Sequence, residues 1–206
     1  MAPRASVNDL AIPDTTRRQL DFLVTAHTLT GVTRLNRLLD GSRGETSAEH
    51  SWHLALTAGV LASEHAPGVD LGRVLTMLTI HDLVEVDAGD VPIYDEQARL
   101  DVVADEVRAA ARLFGRLPAE QAERLLALWH EFEAAETSEA RFARAIDRLQ
   151  PLLLHWASDG AAWSERNVTV AQERRLMAVI GEYWLSLAPV CRALIDDAHG
   201  RGMLLG

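Results

Sequence analysis

Helical periodicity runs through almost the whole chain, and no other feature constrains the fold as strongly. Apolar residues recur at the three- and four-residue spacing of a helix, and no segment shows a convincing alternation of apolar and polar residues. Capping and breaking residues divide the chain into consecutive helical segments. The pattern therefore predicts an all-α fold built as a single helical bundle.

Start and stop signals set the expected boundaries. Residues 1–14 are expected to form a flexible tail and residues 15–206 a single domain. Ser47, Asp70 and Thr169 are the expected N-caps of three later helices, and Thr137 or Ser138 is the expected N-cap of a fourth. After a first helix that begins near residue 15, the predicted helices cover residues 32–39, 48–65, 71–86, 95–114, 118–136, 139–158 and 170–187. Loops are expected at residues 40–44, 88–92 and 160–167, and Pro189 is expected to interrupt the chain before a short terminal helix.

Size and composition fit one soluble domain. A chain of 206 residues with 48% hydrophobic content can bury a sizeable core, whereas two full domains would be cramped. Apolar runs stay shorter than the roughly 18 to 20 residues of a membrane span, since charged residues interrupt each one. The tail lacks the apolar centre of a secretory signal. We therefore expect a cytoplasmic protein that does not enter membranes.

Charge and cysteine content narrow the possible functions. The net charge of −10 argues against nucleic-acid binding, because affinity for a polyanion comes mainly from Lys and Arg that neutralise phosphates. A small phosphorylated ligand is still compatible, given locally concentrated arginine and a metal. The single cysteine, Cys191, excludes an internal disulfide framework and a Cys-based zinc site. Any metal would therefore be held by His and carboxylate side chains, which favours catalysis or switching.

His81 and Asp82 are adjacent polar residues in an apolar helical stretch. Burying two such groups costs about 1 to 3 kcal/mol each unless both are satisfied. Their side chains differ by about 100° around a helix, close enough to reach one cation at its flank. A bound cation would therefore satisfy both.

Other polar residues follow a spacing that could complete such a site. His50 and His53 lie three apart on one helix face, and Glu85, four residues after His81, shares that residue's face. Asp90 follows Gly89 just beyond the expected helix end, and Asp147 is a carboxylate in a mostly apolar helix. Each also has an ordinary explanation. The histidines and Glu85 would be satisfied or solvated helix residues, Asp90 a turn residue, and Asp147 a partner of Arg144 or Arg148.

Together these residues resemble the signature of the HD-domain superfamily of metal-dependent phosphohydrolases, which is a His, then a His-Asp pair, then a distant Asp. The local sequences Ala-Glu-His-Ser-Trp at 48–52, His-Asp-Leu-Val-Glu at 81–85 and Gly-Asp at 89–90 are similar to those of the bacterial 5'-deoxynucleotidase group. The match runs from about residue 34 through residue 147 and beyond. It therefore covers most of the chain.

The resemblance implies one divalent metal ion, held by His50, His81, Asp82 and Asp147. These ligand types suit Mn, Co, Fe, Ni, Zn or Mg, so they do not select one metal. The family also places an arginine ahead of the first ligand to hold phosphate. Arg34 is the best match, with Arg37 and Arg43 as weaker candidates, while Thr30 and Gly44 stand where the family often carries basic residues.

The activity implied is hydrolysis of a phosphomonoester, in particular a nucleoside or deoxynucleoside 5'-monophosphate. Glu85 would position or deprotonate the attacking water, and Asp90 would protonate the leaving 5'-oxygen. Arg34 would neutralise the phosphate with the bidentate geometry of its guanidinium. The expected partner is a small phosphorylated metabolite, not a nucleic acid or a membrane.

Several alternatives stay open. An HD-domain di-iron oxygenase would need extra His ligands between Asp82 and Asp147, and His130 is the only histidine there. A non-catalytic nucleotide- or metal-binding regulatory protein would keep the metal without turnover. Trp52 is expected in the core, or else as a wall of the pocket. A homodimer could form through the apolar C-terminal helices that carry Trp184 and Leu187.

Overall fold

A computed structural model of the protein describes residues 6–88 and 96–206, apart from the side chains of residues 88 and 96–102. Most of these residues are helical, so the predicted all-α class is confirmed. The helices are α1 (Asp14–His27), α2 (Ser47–His65), α3 (Leu71–Ile80), α4 (Glu85–Ala88), α5 (Glu96–Phe114), α6 (Ala119–Ala134), α7 (Ser138–Ala157), α8 (Ala161–Arg166), α9 (Val170–Tyr183) and α10 (Ala188–Gly200). Short 3₁₀ turns lie at Val7–Asp9, Thr28–Gly31, His81–Val84 and Leu185–Leu187.

The helix predicted at residues 32–39 is wrong, because this segment is a strand. Strand β1 (Thr33–Arg37) pairs antiparallel with β2 (Gly44–Thr46). Exposure alternates along β1, so that Arg34 and Asn36 turn inward, but the strand is too short and polar for this period to stand out in the sequence. A Cβ at Gly44 would come within 2.6 Å of Thr33 Cγ2 and 2.9 Å of the Arg34 carbonyl, so the close pairing of the two strands requires glycine there.

Helix caps mostly follow the sequence signals. Asp70, Thr137 and Thr169 cap α3, α7 and α9 as predicted, each accepting a backbone N–H of the first turn. For α2 the cap is Thr46 and not Ser47: the Thr46 side chain accepts the Glu49 N–H, and the Glu49 side chain accepts the Thr46 N–H. Ser47 is instead the first residue of the helix, and it is fully buried.

The helix predicted at residues 71–86 is interrupted. It ends at Ile80, continues as a 3₁₀ turn through Val84, and resumes as α4. The buried indole of Trp129 donates a hydrogen bond to the His81 carbonyl at 3.1 Å, while the Glu85 N–H turns to the Asp82 carbonyl. A tertiary contact therefore takes the acceptor that a continuous α-helix would use here.

The structure near the C-terminus differs from several predictions. The segment at residues 160–167, predicted as a loop, contains α8, and α9 ends at Tyr183 rather than at residue 187. Pro189 lies in the first turn of α10, where its missing N–H has no helical partner to lose. Of the two residues named for a dimer surface, Leu187 is fully buried and Trp184 is half-buried, with its indole donating to the His65 carbonyl at 2.7 Å. The homodimer itself stays a prediction.

Helix α7 lies at the centre of the bundle and packs against α2, α3, α6, α9 and α10. Phe142, Ile146, Leu149 and Leu152 give it a deeply buried apolar face. The polar residues Asp147 and Gln150 lie beside this face, toward α2. In the part of the chain that the structure describes, none of the helices is both long and apolar enough to cross a bilayer.

Candidate metal centre

Two buried imidazoles face the same small space. His50 lies in the first turn of α2 and His81 at the start of the 3₁₀ turn, with ring centroids 5.8 Å apart. The His81 Nδ1 is 2.9 Å from the Leu78 carbonyl, which can only accept, so this nitrogen carries the proton and donates. The His50 Nδ1 lies 3.0 Å from Gln150 Oε1. Both Nε2 atoms are therefore the ones turned toward the nearby carboxylates.

Two carboxylates complete the cluster. Asp147 Oδ1 lies 3.2 Å from His50 Nε2 and 3.7 Å from His81 Nε2. Asp82 Oδ1 lies 2.9 Å from His81 Nε2, and its Oδ2 lies 3.9 Å from His50 Nε2. His50, His81 and Asp147 each offer one ligand atom, and these three atoms all lie within 4.8 Å of one another. The fold thus brings together residues up to 97 positions apart in the chain.

The cluster fits a divalent cation. His81 Nε2 is buried and has no hydrogen-bond partner, although Asp82 Oδ1 is only 2.9 Å away. Buried polar atoms without partners are rare in folded proteins and call for an explanation. A cation between the imidazole nitrogens and the carboxylate oxygens would satisfy this atom, and these donors suit the divalent transition metals and Mg²⁺.

Burial and charge shift the protonation of the cluster. Burial raises the pKa of Asp82, but the charges on His81 and Arg34 outweigh it and lower that pKa to about 2. Burial likewise opposes ionisation of Asp147, yet the hydrogen bond from His50 and the nearby charge of His81 hold its pKa well below its usual value. Burial lowers the pKa of His81, but the Asp82 and Asp147 carboxylates raise it to about 10. Both carboxylates are therefore ionised at neutral pH, which favours a cation beside them.

Arg34, from the inner face of β1, borders the cluster. Its Nη1 lies 2.9 Å from Asp82 Oδ2 and 3.8 Å from Glu85 Oε1, and its Nε lies 4.0 Å from Glu45 Oε2. The side chain is only 15% exposed. A guanidinium in this position can contact both the carboxylates and an anionic group that enters the site.

Arg37 and Arg43 are not brought to the cluster. Arg37 lies on the exposed face of β1, and its Nε is 3.2 Å from Glu165 Oε1. The three-residue separation from Arg34 places it on the opposite strand face, since side chains alternate along a strand. Arg43 instead forms a two-point ion pair with Glu49, which belongs to the α2 capping box.

Glu85 lies at the edge of the cluster. It is 8% exposed, and its Oε2 accepts a hydrogen bond of 2.5 Å from Ser47 Oγ. The carboxylate is therefore oriented by the first residue of α2, close to the candidate ligand His50. Asp90, predicted as a second acid/base residue, lies outside the described residues.

Other residues considered from the sequence lie elsewhere. His130 is exposed on α6 with its ring against Trp129, so it does not supply the extra ligand that a second iron would need. Trp52 is 67% exposed, so the expectation of a core position is wrong. It borders an open groove of about 590 Å³ that is also lined by Thr30, Thr33 and Thr46 and does not include the clustered histidines.

Two residues beneath His50 were missed by the sequence reasoning. Glu45, from β2, is 3% exposed, and Gln150, from α7, is fully buried. Gln150 carried a detectable signal: it lies three residues after Asp147 and so shares its helix face, as a polar residue amid Leu149 and Leu152. Glu45 carried none, because its strand was not predicted.

Known proteins share this fold. Among solved structures, a protein described as a predicted metal-dependent phosphohydrolase from Magnetospirillum magnetotacticum MS-1 is 44% identical to this chain, with a TM-score of 0.88 over 94% of this chain and 100% of that one. The PH0347 protein from Pyrococcus horikoshii OT3 is 20% identical, with a TM-score of 0.62 over 85% of this chain and 99% of that one, and shows the fold alone.

Curated relatives match over a shorter range. The bovine (Bos taurus) protein named 5'-deoxynucleotidase HDDC2 is 28% identical over 109 residues, which cover 53% of this chain and 52% of the bovine protein. The human (Homo sapiens) protein of the same name is 24% identical over 111 residues, covering 54% of this chain and 53% of the human one. The chain thus spans about half the length of the curated relatives it matches.

The family model described as HD domain matches residues 26–182, which include the two histidines and both aspartates of the cluster. This range is well over half of the chain. The protein therefore belongs to the HD-domain family.

Proposed function

We propose that this protein is a divalent-metal-dependent phosphomonoester hydrolase that acts on nucleoside or deoxynucleoside 5'-monophosphates. The observation that carries the proposal is the unpartnered, buried Nε2 of His81, facing two carboxylates and a second imidazole beside Arg34. The names of the relatives favour the same reaction class, since they include a metal-dependent phosphohydrolase and 5'-deoxynucleotidases.

In the proposed site, His50, His81, Asp82 and Asp147 would hold the metal. When bound, a divalent cation polarises a phosphoryl oxygen and makes a neighbouring water more acidic. Arg34 would bind the phosphate and neutralise part of its charge, as its position beside the acidic cluster allows. The Ser47 hydroxyl would keep the Glu85 carboxylate turned toward this space.

The proposed reaction adds water to phosphorus and breaks the bond between phosphorus and the 5'-oxygen. Glu85 would accept the proton that the attacking water loses. Asp90 is the proposed donor of a proton to the leaving 5'-oxygen, in keeping with its place in the sequence just after α4. The products are inorganic phosphate and a nucleoside.

The test is phosphate release from a panel of nucleoside and deoxynucleoside monophosphates, with protein loaded with Mn²⁺, Co²⁺ or Mg²⁺. Asp82→Ala should abolish release, because it removes a proposed ligand and the partner of Arg34. Asp87→Ala is the matched control: Asp87 lies five residues further on, is exposed and pairs with Arg112, so its loss should leave turnover unchanged. Metal binding without release from any monophosphate would contradict hydrolysis and favour a regulatory protein.

A further inference from the structure

Gln150 connects three polar side chains beneath the metal centre. Its Oε1 lies 3.0 Å from His50 Nδ1, and its Nε2 lies 3.1 Å from Glu45 Oε1 and 3.0 Å from His53 Nδ1. Gln150 and His50 are both fully buried, and Glu45 is nearly so. Water therefore has little access to these hydrogen bonds, and each group depends on its protein partner.

The contacts define which end of the Gln150 amide faces which neighbour. A carboxylate only accepts hydrogen bonds, so the amide atom near Glu45 must be the NH₂ group. The same NH₂ group has a second hydrogen, which reaches His53 Nδ1. The amide oxygen is left facing His50, and since it also only accepts, His50 Nδ1 must carry a proton.

This protonation determines what His50 can do. With its proton on Nδ1, a neutral imidazole has its lone pair on Nε2, the nitrogen that lies 3.2 Å from Asp147 and faces the cluster. His81 likewise donates from Nδ1 to a backbone carbonyl, so that a metal which displaces the proton of Nε2 would meet that nitrogen. The two histidines are thus oriented differently: His81 by a backbone carbonyl of the preceding helix α3, and His50 by a side chain contributed by α7.

We propose that Gln150 is a positioning residue of the metal centre, which holds His50 in the tautomer and ring orientation that present Nε2 to the metal. Glu45 and His53 hold the amide in turn. The inference rests on the metal site of the proposed function, but it concerns affinity and tautomer rather than turnover. Side chains that accept the distal N–H of a metal-ligating histidine typically contribute 10- to 100-fold in metal affinity.

The test compares three variants with the wild type by isothermal titration calorimetry with Zn²⁺ and Mn²⁺. Gln150→Leu keeps a similar volume and removes the acceptor, so we expect Zn²⁺ affinity to fall about 10- to 100-fold. Leu149→Ala is the matched control, because it weakens the same turn of α7 in the apolar core without touching this network, and should change affinity less than threefold. The double variant E45Q/Q150E exchanges carboxylate and amide, still offers an acceptor to His50, and should bind within tenfold of the wild type.

The second readout is NMR of ¹⁵N-histidine-labelled protein loaded with Zn²⁺. The wild type should show two protected Nδ1–H signals, from His50 and His81, and Gln150→Leu should lose the His50 signal while keeping that of His81. E45Q/Q150E should keep both, which makes the test independent of how well Gln150→Leu folds. This inference alone would be overturned if the wild type binds metal and Gln150→Leu binds it with unchanged affinity and keeps the His50 signal. Absence of metal binding by the wild type would overturn the proposed function as well.

Discussion

At the scale of single residues, the two buried serines of α2 differ in one respect that matters for the proposed chemistry. Ser47 Oγ donates a hydrogen bond of 2.5 Å to Glu85 Oε2. Ser51, one turn further along, is also buried, but its Oγ has no hydrogen-bond partner. The Ser47 hydroxyl therefore orients Glu85, the proposed base. Removing the Ser51 hydroxyl is the matched control, because it deletes a buried oxygen that contacts no such group.

We expect Ser47→Ala to lower kcat about tenfold and to leave metal affinity within a few-fold of the wild type. A hydrogen bond to a charged group is worth about 1.5 to 3 kcal/mol, and about 1.4 kcal/mol corresponds to a factor of ten in rate. The measurement is steady-state phosphate release, with metal titration alongside. Ser51→Ala should leave kcat unchanged, and equal losses in the two variants would contradict a specific role for Ser47.

At the scale of elements, two helices begin with the same capping box. Thr46 and Glu49 cap α2, and Thr169 and Gln172 cap α9, with hydrogen bonds of 3.2 Å from the backbone N–H to the Thr hydroxyl in both. Only α2 carries a proposed metal ligand, His50, in the turn that the cap stabilises. The two caps thus have the same local hydrogen bonds, but only the cap of α2 supports a turn that holds a proposed metal ligand.

We expect Thr46→Ala and Thr169→Ala each to lower the free energy of unfolding by about 1 kcal/mol, the usual cost of losing such a cap. Thr46→Ala should also weaken metal binding severalfold, because fraying of the first turn of α2 displaces His50. Urea denaturation and metal titration of both variants check this. A similar loss of metal affinity in Thr169→Ala would show that the effect is one of global stability.

The elements also show where sequence patterns sufficed. Capping residues such as Asp70 and Thr137 identified helix starts, because a cap is a local interaction between a side chain and nearby backbone. The β1–β2 hairpin was missed, since its pairing partners lie several residues apart and its alternation covers only five residues. The break after Ile80 was missed because Trp129, 48 residues from His81, supplies the competing hydrogen bond.

At the scale of the whole molecule, His155 lies where α7 packs against the β1–β2 hairpin, and its protonation should make the stability of the protein depend on pH. Its Nε2 lies 3.0 Å from Asn36 Oδ1 of β1, and its ring packs edge-on against Trp163. Burial, assisted by the charge of Arg166 on α8, lowers the pKa of His155 to about 4. The folded protein therefore holds this residue neutral at pH values where the unfolded chain protonates it.

We expect this residue to make the metal-free protein lose stability as the pH falls from about 6.5 to 4. In that window the unfolded chain binds a proton that the folded state does not, so unfolding becomes more favourable, by up to about 3 kcal/mol. His155→Phe should flatten the pH dependence of the free energy of unfolding over this range, measured by urea titration at several pH values. The exposed His199→Gln should keep the wild-type slope, and an unchanged slope in His155→Phe would refute the assignment.

The amino-acid sequence was enough to predict the helical class, most helix starts and the set of residues from which the metal centre is proposed: His50, His81, Asp82 and Asp147. The class and the helix starts follow from local rules, since helical periodicity and caps depend on residues close together in the chain. The set of four residues came from the resemblance of their motifs to the HD-domain signature. The orientation of these residues, and the identity of the residues that support them, depend on how the helices pack in three dimensions. Arg34 rather than Arg37 meets Asp82, and Gln150 and Ser47 hold His50 and Glu85, because contacts between residues 38 to 100 positions apart form only when the helices pack together.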